Sequence, residues 1–235
     1  MGAEAFKTRF RDLHPDELSS SSTDEQLKAR ISQIKALSTT GGMEEQEYFH
    51  VMRYVRDNAP QRLLIWGLGY DSVTYQQLNT DGVTVYLEFD TSWVGKADAA
   101  TRELHYAGYD DKAFGTSVAR VHEFIAQPHR ADEIGLLADR PCFDTVIVDS
   151  PLGLLPENTG RAVPIYTAAG DLGRCISKGL YASSQNVTVF VHDCNRPSEV
   201  LLTDAFLGRP VLELGPKKLR EYRLRQGGLG ATRST

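Results

Sequence analysis

The apolar positions of this chain change their spacing from stretch to stretch, and the spacing predicts most of the elements. Leu63, Leu64, Ile65 and Trp66 follow one another with no polar alternation, the pattern of a strand buried on both faces of a parallel sheet. The run ends in Gly67-Leu68-Gly69, and Ser72 to Leu78 then reads as a helix. Val83 to Leu87 is a second strand candidate that ends in Glu88, and Arg102 to Ala107 a third, followed by Gly108-Tyr109-Asp110. Phe143 to Asp149 and Asn186 to Val191 are two further buried strands. Ahead of them all, Leu27, Ile31 and Ile34 recur at helical spacing after Thr23, and Tyr48, Val51, Met52 and Val55 share one face of a helix over about 44–58,.

Further helices are expected at 92–100, within 117–139, from Arg161 through Tyr166 to about Lys178, and at 199–206. Pro210 to Leu214 reads as extended. Lys218 to Arg225 sets Leu219, Tyr222 and Leu224 against arginines, which reads as an edge strand. Strand and helix thus alternate five times before an antiparallel-looking tail. This order predicts an α/β fold of the Rossmann-like, class I methyltransferase kind: a seven-stranded, mostly parallel sheet with helices on both faces. Residues 1–23, polar and ending in Ser19 to Ser22, read as a flexible lead-in,. The remainder, 24–235, is expected to be a single domain with a helical cover at 24–59.

Composition narrows the classes. The chain has 235 residues, 41% hydrophobic and 24% charged, enough for one full core. A net charge of −5 argues against a nucleic-acid partner,. No apolar run approaches the roughly 18 residues of a membrane span and the N-terminus is not a signal peptide, so the sequence predicts a soluble chain, with the cytoplasm as one compartment. Cys142, Cys175 and Cys194 lack metal-type spacing and are expected to be buried thiols, with a disulfide allowed but not indicated.

The candidate chemistry sits at the strand ends. A strand that runs through glycines into a helix offers backbone N–H groups and a positive helix end to a nucleotide-like ligand. Glu88, about 20 positions after the glycines, is placed to accept from ribose hydroxyls,. A dinucleotide site wants a third glycine where this chain has Ser72, and Asp71 makes the loop acidic. Gly67, Gly69, Asp71, Ser72 and Glu88, with Asp110 toward the adenine, therefore suit S-adenosyl-L-methionine, a sulfonium with an ammonium and a ribose diol, better than NAD. Asp149 and Asp193 end the next two strands, and with Asn195 they form an oxygen-rich set suited to a divalent metal ion,. His192 or an aspartate there can take a proton from a sugar hydroxyl under attack. Arg161, in a loop beside them, can pair with an anionic substrate group,. All these tips are expected to face one crevice. A plain alternative for Asp149 and Asp193 is helix capping.

LLIWGLGYDS, TVYLEFD, GYDD, DTVIVDSPLG, TGRAVPIYTAAG, VFVHDCNR and LREYRL occur in that order between residues 61 and 225. In these segments the chain resembles the plant glucuronoxylan 4-O-methyltransferase family, a polysaccharide-biosynthesis domain that includes arabinogalactan glucuronic acid methyltransferases. The resemblance implies S-adenosyl-L-methionine as donor, divalent-metal dependence, and methylation of O-4 on glucuronic acid side chains of a cell-wall polysaccharide. It implies cofactor contacts at Gly67, Gly69, Asp71, Ser72 and Glu88, and an acceptor side at Asp149, His192, Asp193, Arg161 and Tyr166. The partner implied is an acidic glycan and the compartment the Golgi, although family members usually carry a membrane anchor that this sequence lacks. The rival functions are a non-catalytic scaffold for polysaccharide assembly and an NAD-dependent oxidoreductase.

Overall fold

The computed structural model describes residues 17–38, 42–88, 93, 104–106, 117–128, 142–150, 160–177 and 186–225. The expected helix at 92–100 and the Asp110 loop lie outside the described residues, Trp93 excepted. Among those described are six helices and seven strands. The chain divides into two compact units, 1–108 and 109–235.

In the first unit, helix α1 (Asp24–Leu37) begins where Thr23 and Gln26 cap each other reciprocally, Thr23 Oγ1 accepting from the Gln26 N–H,. It buries Leu27, Ile31 and Ile34. Helix α2 (Glu45–Asp57) buries Tyr48, Val51, Met52 and Val55, the face its spacing predicts,. Strand β1 (Arg62–Trp66), helix α3 (Ser72–Leu78), and strands β2 (Val83–Glu88) and β3 (Leu104–Tyr106) follow. The strand order is β3-β2-β1, and every pairing is parallel. Leu63 to Trp66 are all buried, and each such side chain contributes about 1.5–3 kcal/mol of hydrophobic stabilisation. Asn79, just past α3, ties the helix to both strand starts. Its amide donates to Gln61 O, Val83 O and Thr84 Oγ1 and accepts from the Gln61 N–H, at 3.0–3.2 Å.

The second unit holds helix α4 (Val118–Ala126), strand β4 (Thr145–Val148), helix α5 (Ala162–Ser177), strand β5 (Val187–Val191), helix α6 (Pro197–Phe206), and strands β6 (Leu212–Leu214) and β7 (Leu219–Leu224). Its strand order is β4-β5-β7-β6; β4 and β5 are parallel, and β7 runs against both of its neighbours. Every residue of β4 and β5 is buried. Phe124, Tyr166 and Phe206 join α4, α5 and α6 in edge-on ring contacts at 5.2–5.9 Å between centroids,.

Two expectations are corrected here. β7 is an inner strand, flanked by β5 and by the short β6. The arginines that made it look solvated are matched across the ladder, Arg223 donating to Thr188 Oγ1 and Arg220 to Glu213 Oε2,. Neither Cys142 nor Cys175 is a thiol: they form a disulfide with a Cα–Cα distance of 5.8 Å, well within bridging range.

The strand orders 3-2-1 and 4-5-7-6, parallel except for β7, are those of the two halves of the Rossmann-like, class I methyltransferase sheet. That is the fold expected from the order of elements.

Candidate functional site

The polar strand ends gather into two groups, one in each unit. In the first unit, β1 leaves the sheet through Gly67, whose φ of 112° only glycine adopts without strain,. The Gly67 N–H donates to Leu87 O at 2.8 Å. The Leu68 N–H donates to Glu88 Oε2 at 2.8 Å, and the Gly69 N–H to Ser72 Oγ at 3.0 Å. A side chain at residue 69 would put its Cβ 2.6 Å from Asp71 Oδ1, so glycine is what lets the Asp71 carboxylate lie against the turn. Asp71, Ser72 and Glu88 are all buried. Behind them the Tyr86 hydroxyl donates to Ser72 O at 2.5 Å. Burial and the Asp71 carboxylate push the Tyr86 phenol well above its ordinary pKa, so it stays a donor,.

This arrangement chooses between ligands. A diphosphate needs a nest of open N–H groups, and here the Leu68 and Gly69 N–H groups already bond to side chains of the same unit. The charged groups at the turn are carboxylates, Glu88 and Asp71. Carboxylates accept from hydroxyl and ammonium groups, so the residues fit S-adenosyl-L-methionine and do not fit the pyrophosphate of NAD. Beside the turn, Tyr70 and Trp93 meet edge-on at 6.1 Å and pack on Val73. The sequence reading passed over this aromatic pair, although Trp93 lies only five positions past Glu88.

In the second unit, β4 ends at Asp149 and β5 at His192-Asp193. His192 Nδ1 lies 2.7 Å from Asp149 Oδ1, so an ionised Asp149 takes the Nδ1–H and fixes the tautomer. The Asp149 side chain is 24% exposed and that of His192 1%: the carboxylate faces outward and the imidazole backs it. Burial works to raise the Asp149 pKa, but His192, Arg161 and Lys217 outweigh it and hold the carboxyl below its usual value,. Asp193 sits at φ 61°, a left-handed conformation that is uncommon outside glycine and clusters at functional sites. Its Oδ2 accepts from Arg161 Nη2 and lies against Arg196 Nη2, each at 2.8 Å. Glu199 Oε1 lies 3.7 Å from Arg196 Nη1. Burial pushes the neighbouring Cys194 thiol up to about 12, which rules it out as a nucleophile near neutral pH,.

Three more of the expected site residues lie around this group. Arg161 was expected to meet a substrate anion; it is buried, and its two terminal nitrogens bond to the protein's own oxygens, Asp149 O, His192 O and Asp193 Oδ2. Tyr166 was expected to touch substrate, and its ring belongs to the aromatic contact with Phe124 and Phe206. Asn195 is exposed in the turn after Asp193.

One ligand atom each from Asp149, His192 and Asp193 lie within 4.8 Å of one another, a spacing that a divalent ion can bridge. Yet Arg161 Nη2 is already 2.8 Å from Asp193 Oδ2 and 3.8 Å from Asp149 Oδ1. A further cation about 4 Å from that guanidinium would meet a repulsion of roughly 4 kcal/mol per unit charge at an effective dielectric of about 20, and each carboxylate at ligand distance would attract it by more than that. Asp149, His192 and Asp193 therefore offer a divalent ion a ligand set whose carboxylates it would share with Arg161.

Comparison with known proteins gives the chain its relatives. The family model described as IRX15/IRX15L/GXM matches residues 46–139 and 139–222. Glucuronoxylan 4-O-methyltransferase 1 of Arabidopsis thaliana is 30% identical over 184 residues, covering 72% of this chain and 63% of that protein. Glucuronoxylan 4-O-methyltransferase 3 of the same plant is 29% identical, over 72% and 60%. Arabinogalactan O-methyltransferase 2, also from Arabidopsis thaliana, is 25% identical, over 76% and 66%. The chain spans about 60% of the length of the glucuronoxylan relatives it matches. With a family model matched along most of its length, the chain belongs to the IRX15/IRX15L/GXM family.

Proposed function

We propose that this protein is an S-adenosyl-L-methionine-dependent O-methyltransferase that acts on a sugar hydroxyl, O-4 of a glucuronic acid side chain on a wall polysaccharide of the glucuronoxylan or arabinogalactan type. The observation that carries the reading is the glycine turn, which presents Asp71 and Glu88 and has its Leu68 and Gly69 N–H groups already bonded. Membership of a family whose relatives are named glucuronoxylan and arabinogalactan O-methyltransferases supports the reaction and the acceptor.

S-adenosyl-L-methionine, when bound, supplies an electrophilic methyl group that passes to oxygen as its C–S bond breaks. Glu88 accepts from the ribose hydroxyls, while Asp71 meets the ammonium group. On the acceptor side, Asp149 takes the proton that the hydroxyl loses as the new C–O bond forms, with its orientation set by His192 Nδ1. A carboxylate held at low pKa is a weak base, so it serves as the proton's destination late in the attack. Asp193 acts through Arg161 and Arg196. A divalent ion at this triad would be held by Asp149, His192 and Asp193 and would supply Lewis acidity toward the acceptor hydroxyl, while Arg161 lies against the same carboxylates,.

The test is transfer of labelled methyl groups from S-adenosyl-L-methionine to a panel of acidic and neutral glycans, with and without chelator. Transfer confined to glucuronate-bearing glycans is expected, and its loss under chelator would place a divalent ion among Asp149, His192 and Asp193. Cofactor binding without transfer to any glycan would favour the assembly scaffold instead.

A further inference from the structure

Arg161 sits at the head of α5, after Gly160 turns the chain at φ 76°, and the first turn of the helix closes on its carbonyl through the Ile165 N–H. From there its guanidinium reaches oxygens at two strand tips. Nη1 donates to His192 O at 2.5 Å, and Nη2 donates to Asp149 O at 2.9 Å and to Asp193 Oδ2 at 2.8 Å. The planar fork of an arginine can hold three acceptors in fixed relative positions, whereas a lysine's ammonium acts as a point charge. The two backbone oxygens it holds belong to Asp149 and His192, the residues whose side chains form the 2.7 Å pair. At the other end of the same helix, Cys175 is bonded to Cys142, ahead of β4. Strand β4 is therefore tied to α5 twice, covalently where it starts and through Arg161 where it ends.

We propose that Arg161 is a positioning residue for methyl transfer: by gripping the carbonyls of Asp149 and His192 together with the Asp193 carboxylate, it sets the register of the Asp149–His192 pair without touching the acceptor. The assignment rests on the proposed transfer reaction, and it accounts for a buried cation that substrate binding does not use. The left-handed backbone of Asp193 belongs to the same device, since it aims that carboxylate at Arg161 and at Arg196.

The test compares Arg161→Lys and Arg161→Ala in the full chain with two readouts. In steady-state kinetics with a glucuronate-bearing glycan, Arg161→Lys is expected to lower kcat by about 10²-fold, the scale of an ångström-level misplacement of a reacting group. KM for the glycan and affinity for S-adenosyl-L-methionine should stay within twofold. In proton NMR, the downfield Nδ1–H resonance of His192 expected in the parent protein from the 2.7 Å contact should shift or broaden in both variants. Arg161→Lys keeps the buried charge and so keeps the test open if Arg161→Ala does not fold. An unchanged kcat with a raised KM for acidic glycans only would overturn the proposal and make Arg161 a substrate contact. An unchanged His192 resonance in Arg161→Lys would overturn it as well. That second result stands even if the parent transfers no methyl group, so failure of the positioning role and failure of the methyltransferase reading are told apart.

Discussion

Glu88 carries two tasks that substitution can separate. One carboxylate oxygen takes the Leu68 N–H at 2.8 Å inside a buried turn; the charge and the remaining acceptor capacity are assigned to the ribose diol. Glu88→Gln keeps an oxygen for Leu68 and loses the charge. Hydrogen bonds to a charged group contribute about 1.5–3 kcal/mol against about 0.5–1.5 for neutral ones. The expected loss in cofactor binding is thus about 1–2 kcal/mol, or roughly 5- to 30-fold in Kd, with stability nearly unchanged. Glu88→Leu removes the acceptor too and leaves the buried Leu68 N–H unsatisfied, which costs about 1–3 kcal/mol of folding stability. Isothermal titration calorimetry with S-adenosyl-L-methionine and urea unfolding give the two numbers for each variant. If Glu88→Gln binds the cofactor as tightly as the parent protein, the donor does not lie on this turn and the reading of the first unit is refuted.

Other expectations follow from single contacts. Asn79→Ala removes the amide that joins Gln61, Val83 and Thr84 and should cost roughly 2–4 kcal/mol in urea unfolding, because several buried groups lose their partner at once; an unchanged midpoint would show that the latch is not formed. Reducing Cys142–Cys175, or replacing both cysteines with serine, opens a loop spanning a sequence separation of 33 and should lower stability by about 4 kcal/mol on the chain-entropy estimate, read as a fall in Tm with added reductant. The Asp149 carboxyl titrates lower in the folded protein than an ordinary aspartate, so unfolding takes up protons at acid pH. Its contribution is complete above the ordinary aspartate pKa and drains away as pH falls through the lower folded pKa. Asp149→Asn should flatten this acid limb of a stability-versus-pH curve, and an unaltered slope would refute the pairing with His192.

What the sequence revealed and what it hid have physical causes. Leu63 to Trp66, Thr145 to Val148 and Val187 to Val191 were legible because a strand buried on both faces allows no polar position,. The glycine turn and Glu88 were legible from spacing, since the chain length from one strand tip to the next is nearly constant in this fold. β7 was misplaced because β6 is three residues long, too short for a period to show, and because cross-strand pairing hides charged side chains that a linear pattern counts as solvated. Arg161 was read as a substrate contact because a sequence gives a guanidinium's neighbours along the chain and not its partners across space: Asp149 O, His192 O and Asp193 Oδ2 lie 12 to 32 positions away. The same holds for the disulfide, as spacing alone does not pair three cysteines.

The most direct test of the account is the single-turnover rate of methyl transfer to a glucuronate-bearing glycan, measured for the parent protein and for Asp149→Asn at saturating S-adenosyl-L-methionine. The account predicts 4-O-methylglucuronate as product and a fall of about 10²- to 10⁴-fold in the variant, the range lost with a positioned proton acceptor, while cofactor affinity is unchanged. Equal rates in the two proteins would contradict it.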